Sequence, residues 1–258
     1  MLLIKAIFFD IDGTLISFKT HKMTSAVRDA LKKLRENGIK IFVATGRDKK
    51  GLGVVAGAKF DGYITLNGQY CYTGDQVIYE NTICREDLIV LKNELEAHPF
   101  PCCFSTTEGI KFNYRDEHVE FINSITKNNG HPAGDCSNIE NESVYQCMAF
   151  LNHDEEKALL SKLPHCTSAR WHDLFCDISP IGGTKQNGID RFLDHFGIDI
   201  SETMAFGDGG NDTQMLEHVN IGVAMGNSFG ELLEVADIVT DDVEHDGVVK
   251  VLRDMGLI

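Results

Sequence analysis

The amino-acid sequence predicts an α/β protein whose parallel-sheet core is interrupted by an inserted α+β domain. Near both ends of the chain, apolar stretches alternate with amphipathic helical patterns, which is typical of a parallel sheet covered by helices. In the middle of the chain, strands and helices follow one another in a different order. The 258 residues are enough for one large α/β domain or for a core with one insertion.

The first core segment is predicted to cover residues 1–82. It opens on a continuously apolar run, Leu2 to Phe9, which is typical of a buried central strand. Apolar residues at helical spacing predict a helix over Thr24 to Asn37, and a second buried strand follows over Ile39 to Ala44. A further helix is expected over Asp48 to Ala58, although its glycines disfavour helix formation.

The inserted domain is predicted to cover residues 83–182. Its elements do not alternate as β-α units, which favours a separate α+β fold. We expect helices over Glu86 to Ala97, Glu117 to Asn128 and Asp154 to Leu163. We expect strands near Cys102 to Ser105, Ile110 to Tyr114, Tyr145 to Leu151, Ser168 to Trp171 and Phe175 to Ile178.

The second core segment is predicted to cover residues 183–258, where the alternation resumes. Its expected elements are a helix over Lys185 to Phe196, a strand over Thr203 to Phe206, a helix over Asp212 to Val219 and a strand over Ile221 to Ala224. Parallel α/β sheets bind ligands beyond the carboxyl ends of their strands. Residues that directly follow predicted strands, such as Asp10, Thr45 and Asp208, are therefore candidates for function.

Composition and charge narrow the classes of partner. A net charge of −15 repels nucleic acids and anionic membranes, so we expect neither as a partner. No stretch approaches the roughly 20 apolar residues that cross a bilayer, and the first residues do not resemble a secretion signal. We expect a cytoplasmic protein whose eight cysteines, which form no CxxC pair, are reduced thiols and not a disulfide framework or zinc site.

Two acidic motifs carry the strongest chemical signal. Asp10 to Thr14 follows an apolar strand, and its two carboxylates leave the strand end close together beside Gly13, which permits a tight turn. Gly207 to Asp212 follows another apolar strand and opens a helix. Taken alone, the first motif is also compatible with an acidic turn and the second with a helix-capping loop.

The pairing of the two motifs at one sheet edge predicts a metal site. Two carboxylate clusters would repel each other unless a cation lay between them, and hard oxygen ligands favour Mg²⁺. Because Mg²⁺ in such sites usually also contacts phosphate, a phosphate-bearing ligand is expected.

Three further residues are candidates to bind an anion. Lys185 begins a helix where the chain re-enters the core, Thr45 offers a hydroxyl at a strand end, and Arg47 offers a second positive charge. Each has an alternative interpretation, because most lysines are simply exposed and the other two residues are compatible with capping or surface roles.

These motifs, in this order, resemble those of the haloacid dehalogenase superfamily of phosphotransferases, and within it the Cof-type sugar-phosphatase branch. The matching segments are Asp10 to Thr14, Ala44 to Arg47, Lys185 and Gly207 to Asp212, with a further similar phrase at Val223 to Asn227. The resemblance implies a Rossmann-like core and a large α+β cap of type IIB, which matches the predicted insertion.

The resemblance also implies roles for individual residues. Asp10 is the expected nucleophile, forming an aspartyl phosphate, and Asp12 is the expected general acid and base. Mg²⁺ is expected on Asp10, on the backbone carbonyl of Asp12 and on Asp208, with Asp212 supporting its water shell. The residues expected to bind the phosphoryl group or substrate are Thr45, Gly46, Lys185 and Asn211.

The implied activity is Mg²⁺-dependent hydrolysis of a small phosphorylated metabolite, such as a sugar phosphate, pyridoxal phosphate or a flavin-related phosphate ester. A phosphomutase that uses the same aspartyl phosphate remains an alternative, as does a non-catalytic phosphate-responsive module. Candidates for substrate selection in the cap are Trp171, His172, Asp173 and Phe175, although core packing explains the aromatic residues equally well. The sequence does not predict an oligomeric state.

Overall fold

The computed structural model describes residues 3–106, 109–126 and 131–258, apart from the side chains of Thr126 and Trp171. It divides into two compact units. The first comprises the residues up to Glu80 and from Gly183 onward, and the second is Asn81–Gly182.

The secondary structure of the described residues comprises the following strands and helices. The strands are β1 (Ala6–Phe9), β2 (Lys40–Ala44), β3 (Gly62–Thr65), β4 (Tyr70–Thr73), β5 (Gln76–Glu80), β6 (Cys102–Thr106), β7 (Gly109–Phe112), β8 (Val144–Ala149), β9 (Cys166–His172), β10 (Phe175–Pro180), β11 (Thr203–Gly207), β12 (Ile221–Ala224) and β13 (Ile238–Val239). The helices are α1 (Ser25–Glu36), α2 (Arg85–Ala97), α3 (Glu117–Thr126), α4 (His153–Leu160), α5 (Lys185–Phe196), α6 (Thr213–His218), α7 (Glu231–Val235) and α8 (Gly247–Asp254).

The first unit contains an eight-stranded sheet in the order β13-β12-β11-β1-β2-β3-β4-β5. The strands from β13 to β3 pair in parallel, whereas β4 and β5 add an antiparallel edge. The predicted α/β class with a parallel core is therefore confirmed, and the antiparallel edge is an addition that the sequence pattern did not indicate.

The central strand β1 is buried on both faces, which explains its unbroken apolar sequence. On one face Ile7 and Phe9 join the core built by α1 and α8. On the other face Ala6 and Phe8 join the core built by α5 and α6. Phe9 stacks on Phe206 of β11 with ring centroids 5.2 Å apart. The sheet is thus fixed at the strands that end in the acidic motifs.

The second unit contains a five-stranded antiparallel sheet in the order β7-β6-β8-β10-β9. Leu88 of α2 and Leu159 of α4 pack in one of its cores, and Val119 of α3 packs in the other. The segments by which the chain enters and leaves this unit lie side by side, because Asn81 Nδ2 donates a hydrogen bond to the carbonyl of Ile181 at 3.2 Å.

Several element predictions need correction. The first strand begins at Ala6, and the stretch predicted as a helix over Asp48 to Ala58 contains only a 3₁₀ helix, Lys50–Val55. Gly51 and Gly53 account for this, since glycine loses more conformational freedom in a helix than other residues. The predicted helix over Glu117 to Asn128 is present up to Thr126, and its last two residues lie outside the described part of the chain.

Candidate active site

The candidate site lies where adjacent parallel strands end. In the sheet the order β11-β1-β2-β3 is continuous, so the residues after these strands share one edge. Asp208 follows β11, Asp10 follows β1 and Thr45 follows β2. Backbone bonds extend the strand pairing into the site, since the amide of Asp10 donates to the carbonyl of Phe206 at 2.9 Å. The sequence-predicted residues are therefore brought together by strand order.

Lys185 lies at the centre of the site although it comes from the distant second core segment. Its side chain is fully buried, and its Nζ donates to Asp10 Oδ1 at 2.5 Å and to Asp212 Oδ1 at 2.6 Å. The preceding Thr184 caps α5 by accepting a hydrogen bond from the amide of Asn187. The lysine is thus held by its helix start and by two carboxylates, and the alternative of an exposed lysine is wrong.

The turn after β3 fits closely around the start of α5. Gly68 has a φ of +96°, and a Cβ atom there would lie 2.0 Å from the carbonyl oxygen of Thr184. Leu66 and Asn67 also adopt left-handed backbone conformations, which non-glycine residues rarely adopt. Strained backbone of this kind persists only where the surrounding structure enforces it. This turn therefore fixes the position from which Lys185 extends.

The second acidic motif is tied to the first by hydrogen bonds. Thr14 Oγ1 donates to Asp208 Oδ1 at 3.2 Å, and Asn227 Nδ2 donates to Asp208 Oδ2 and to the carbonyl of Gly13, both at 3.0 Å. Asp212 is fully buried, and its Oδ2 accepts the amide of Asp208 at 3.0 Å. Asp212 therefore shapes the turn as well as contacting Lys185.

The electrostatics of the cluster are dominated by burial. Burial raises the pKa of Asp10 well above its ordinary value, with Lys185 opposing this shift. Burial, with Asp212 beside it, raises the pKa of Asp208 to about 7. Burial also disfavours the charge of Lys185, yet Asp10 and Asp212 hold the pKa of this lysine above its ordinary value. When they are ionised, three carboxylates around one ammonium carry more negative charge than the ammonium compensates.

The donor set of this cluster fits a hard divalent cation. Carboxylate oxygens of Asp10, Asp208 and Asp212 lie within 4.8 Å of one another, and oxygen ligands are those that Mg²⁺ prefers. A divalent cation would compensate the negative charge that the single lysine leaves.

Asp12 does not point its carboxylate into this cluster but pairs with Arg47. Arg47 Nε donates to Asp12 Oδ2 at 2.6 Å, and its Nη2 donates to Oδ1 at 2.8 Å. The hydrogen bonds to Asp12 also raise the pKa of the Arg47 guanidinium. Both side chains are about one-third exposed. The sequence left two interpretations open for Arg47. In the structure it is bonded directly to Asp12, the predicted general acid and base.

Thr45, Gly46 and Asn211 meet around a residue that the sequence analysis missed. The amide of Asn67 donates to the carbonyl of Thr45 at 3.0 Å, and its Oδ1 accepts from Asn211 Nδ2 at 3.0 Å. A Cβ on Gly46 would lie 3.2 Å from Asn67 Oδ1. The Asn-Gly dipeptide at 67–68, which commonly marks turns with positive φ, was the available signal.

The candidate selectivity residues lie in the second unit and differ in burial. Phe175 is fully buried and packs parallel to the His172 ring at 6.0 Å between centroids, so it has a core role. His172 Nδ1 accepts the amide of Leu174 at 3.2 Å, and the Asp173 carbonyl accepts from Arg170. The side chain of Trp171 lies outside the described atoms.

A parallel sheet with buried carboxylates and a lysine at its carboxyl edge is typical of α/β enzymes, which bind their ligands at that edge. The family model for haloacid dehalogenase-like hydrolases matches residues 7–252, and the chain belongs to this family. It is a phosphatase, a phosphoric monoester hydrolase of the haloacid dehalogenase superfamily.

Individual relatives agree with this assignment. The chain is 34% identical to the Bacillus subtilis (strain 168) protein named "Putative phosphatase YkrA", over 98% of each chain. It is similar to the structure of the haloacid dehalogenase phosphatase BT1666 of Bacteroides thetaiotaomicron, with a TM-score of 0.90, 36% identity and coverage of 99% of this chain and 96% of the other. It is also similar to the subclass IIB sugar phosphatase BT4131, with a TM-score of 0.81, 39% identity and coverage of 98% and 100%.

Within the described part of the chain, no helix combines the length and apolar character needed to cross a bilayer.

Proposed function

We propose that this protein is a Mg²⁺-dependent phosphatase that hydrolyses a small phosphorylated metabolite through an aspartyl phosphate on Asp10. The observation that carries the proposal is the buried contact of Lys185 with Asp10 and Asp212, beside the third carboxylate, Asp208. A fully buried ammonium between carboxylates costs desolvation energy, and a role in binding the phosphoryl group offers a reason for retaining it.

Asp10 is the proposed nucleophile because it ends the central strand and faces the lysine. Its carboxylate would attack phosphorus in line and release the substrate alcohol, and water would then hydrolyse the aspartyl phosphate. Lys185 and the Thr45 hydroxyl would bind phosphoryl oxygens, with Gly46 and Asn211 completing this part of the site. We add Asn67 to this set, because its side chain contacts Asn211.

Asp12 is the proposed general acid and base. It would give a proton to the leaving oxygen and later accept one from the attacking water. Each of its carboxylate oxygens accepts one bond from Arg47, so the arginine fixes the orientation of the carboxylate while a second lone pair on each oxygen stays available for the proton. Arg47 is therefore a positioning residue in this proposal.

Mg²⁺ would be held by Asp10, by the backbone carbonyl of Asp12 and by Asp208, with Asp212 supporting its water shell. When bound, the ion would offset the repulsion between the nucleophile and the substrate phosphate. The buried carboxylate cluster supports this assignment by its donor chemistry.

Sugar phosphates are the substrate class that we favour. Pyridoxal phosphate and flavin-related phosphate esters are further candidate substrates. The name of the similar subclass IIB enzyme supports the choice of sugar phosphates. The residues proposed to set selectivity lie in the insertion, residues 83–182, and include His172 and Asp173. The cytoplasmic location expected from the sequence stays a prediction.

The test is phosphate release from a panel of phosphorylated metabolites, with Mg²⁺ and with a chelator, for wild type, Asp10→Asn and the control Asp75→Asn. Asp75 is an exposed acidic residue between β4 and β5. We expect turnover that requires Mg²⁺, falls at least about a thousandfold in Asp10→Asn and is unchanged in the control. Equal rates for Asp10→Asn and wild type would contradict the nucleophile. Transfer of the phosphoryl group to a second sugar hydroxyl, without free phosphate, would favour the mutase.

A further inference from the structure

A second group of metal-ligating side chains lies in the inserted unit. Cys84 directly precedes α2, Asp87 lies in the first turn of that helix, His165 directly precedes β9 and Cys166 is the first residue of β9. Cys84 Sγ is 3.4 Å from His165 Nδ1, which is itself 3.3 Å from Asp87 Oδ1. One ligand atom from each of these three residues lies within 4.8 Å of the others. Cys166 Sγ is 3.3 Å from Asp87 Oδ2.

These spacings are close to those between the ligands of a tetrahedral zinc ion. With zinc bonds of about 2.3 Å to sulfur and about 2.0–2.2 Å to nitrogen and oxygen, neighbouring ligand atoms lie roughly 3.4–3.6 Å apart. The observed distances, 3.4 Å from Cys84 Sγ to His165 Nδ1 and 3.3 Å from His165 Nδ1 to Asp87 Oδ1, are close to these values. A thiolate and an imidazole select zinc-like cations over Mg²⁺.

The backbone holds the group in place. The carboxylate of Asp87 is buried and also accepts the amide of His165 at 3.0 Å. The carbonyl of His165 accepts the amide of Ile181 at 2.9 Å. The side chain of His165 is 64% exposed, so a cation has a path from solvent. The group is therefore held in place by backbone hydrogen bonds and is accessible to a cation from solvent.

We propose that Cys84, Asp87 and His165 form a binding site for a thiophilic divalent cation of the Zn²⁺ class. Without the cation, the same contacts serve as hydrogen bonds, with Cys166 donating its S–H to Asp87. Binding would convert the Cys84 thiol to a thiolate and release one proton to solvent for each cation bound. The site shares no residue with the proposed phosphatase centre and does not depend on it.

The cation would link the start of α2 to the start of β9. Both lie close to the segments by which the chain enters and leaves this unit. The carbonyl of His165 accepts a hydrogen bond from the amide of Ile181, and the carbonyl of Ile181 accepts one from the side chain of Asn81. The role that we assign is therefore structural, namely joining the two ends of the inserted unit.

The test uses the full chain, stripped of metal by a chelator under a metal-free reductant and then titrated with Co²⁺ as the probe. Only cobalt bound to thiolate gives the intense sulfur-to-metal charge-transfer absorption, so a carboxylate site elsewhere does not contribute to this signal. We expect this absorption to saturate at one equivalent per chain and to disappear when Zn²⁺ is added.

Two variants test the proposed ligands, and a third serves as the control. Cys84→Ser and His165→Gln should each weaken binding at least about tenfold, whereas Cys136→Ser, which alters a partly buried thiol of the same unit outside the cluster, should bind as wild type does. Because the ring of His165 is largely exposed, His165→Gln tests the site even if a cysteine variant misfolds. Absence of the absorption in wild type, or its retention with unchanged affinity in His165→Gln, would overturn the proposal.

Discussion

Lys185 is the residue on which the candidate site depends most strongly. Its buried ammonium compensates two buried carboxylates. Removing one partner of a buried ion pair is costly because the remaining charges lose their compensation, typically by about 3–5 kcal/mol. An exposed pair such as Lys250 with Asp241, at 2.8 Å and about half exposed on each side, contributes little because solvent screens both charges.

We therefore expect Lys185→Ala to lower the free energy of unfolding by about 3–5 kcal/mol and to abolish phosphate release. Lys250→Ala should leave both the free energy of unfolding and the activity nearly unchanged. Urea denaturation and phosphate assays on both variants provide the measurement. Equal losses of stability in the two variants would show that the buried lysine is not needed to compensate Asp10 and Asp212.

Single residues also show where sequence reasoning succeeded. Asp10 and Asp208 were predictable as neighbours, because both follow apolar strands of a parallel sheet. The contact of Asn227 with Asp208 was not predictable, because it joins residues whose approach depends on the packing of loops. The contact of Arg47 with Asp12 was not predictable either, because a side chain at a strand end can turn toward several neighbours.

At the scale of elements, the turn after β3 is sensitive to substitution. Gly68 combines a positive φ of +96° with a carbonyl oxygen only 2.0 Å from the place that a Cβ atom would occupy. Gly74, between β4 and β5, has a φ of +55° but no neighbouring atom within 4 Å of such a Cβ. A comparison of substitutions at these two glycines therefore distinguishes the cost of backbone strain from the cost of steric overlap.

Gly68→Ala should lower the free energy of unfolding by more than about 2 kcal/mol and reduce turnover, because Thr184 and with it Lys185 must shift. Gly74→Ala should cost about 1–2 kcal/mol from backbone strain alone and leave turnover unchanged. Thermal denaturation and phosphate release per folded molecule test this expectation. Similar costs and equal activity in the two variants would rule out tight packing of the turn on the start of α5.

Most helices and strands were predictable from the periodic spacing of hydrophobic residues, and there are physical reasons for those that were missed. The helix Lys185–Phe196 has the predicted bounds, because a threonine cap and a following glycine mark its ends. The strands β3 to β5 went unrecognised, because they are short and follow one another without intervening α-helices, unlike the β-α units on which the prediction relied. Their turn carries Asn67, so missing these strands also meant missing a residue of the candidate site.

At the scale of the whole molecule, the raised pKa of Asp208 couples stability to pH. In the folded protein this pKa is about 7, against an ordinary value of 3.8, so between these values the folded state binds more protons than the unfolded state. The free energy of unfolding therefore falls as pH rises through this window, by up to about 1.4 kcal/mol for each pH unit. Asp10, whose pKa is also raised, acts in the same direction.

We expect the protein in a chelating buffer to lose stability between about pH 4 and about pH 7, and Mg²⁺ to restore it, because the ion binds the ionised carboxylates. Urea denaturation across this range, with and without Mg²⁺, is the measurement. Asp208→Asn should reduce the slope in the chelating buffer. Stability that increases with pH in the metal-free wild type would contradict the expected protonation of the cluster.

The approach of Cys84 to His165 shows what a linear pattern cannot reveal about the whole molecule. These two residues are distant in sequence, so the spacing of the cysteines along the chain gave no sign that their side chains lie together. Their approach depends on antiparallel strand order and on the docking of α2 in the core of its own unit. The parallel core, by contrast, was predictable because consecutive β-α units form it locally.

The hydrogen bond between Asn81 and Ile181 has an evolutionary consequence. Because the two ends of the insertion are neighbours, the insertion interrupts the rest of the chain at one place, between Glu80 and Gly183. Genetic exchange of the segment between these residues would replace the inserted unit and leave the strand order of the eight-stranded sheet unchanged. With selectivity set in the insertion, as we propose, descendants of one scaffold would acquire new ligands by recombination and keep the residues of the candidate site.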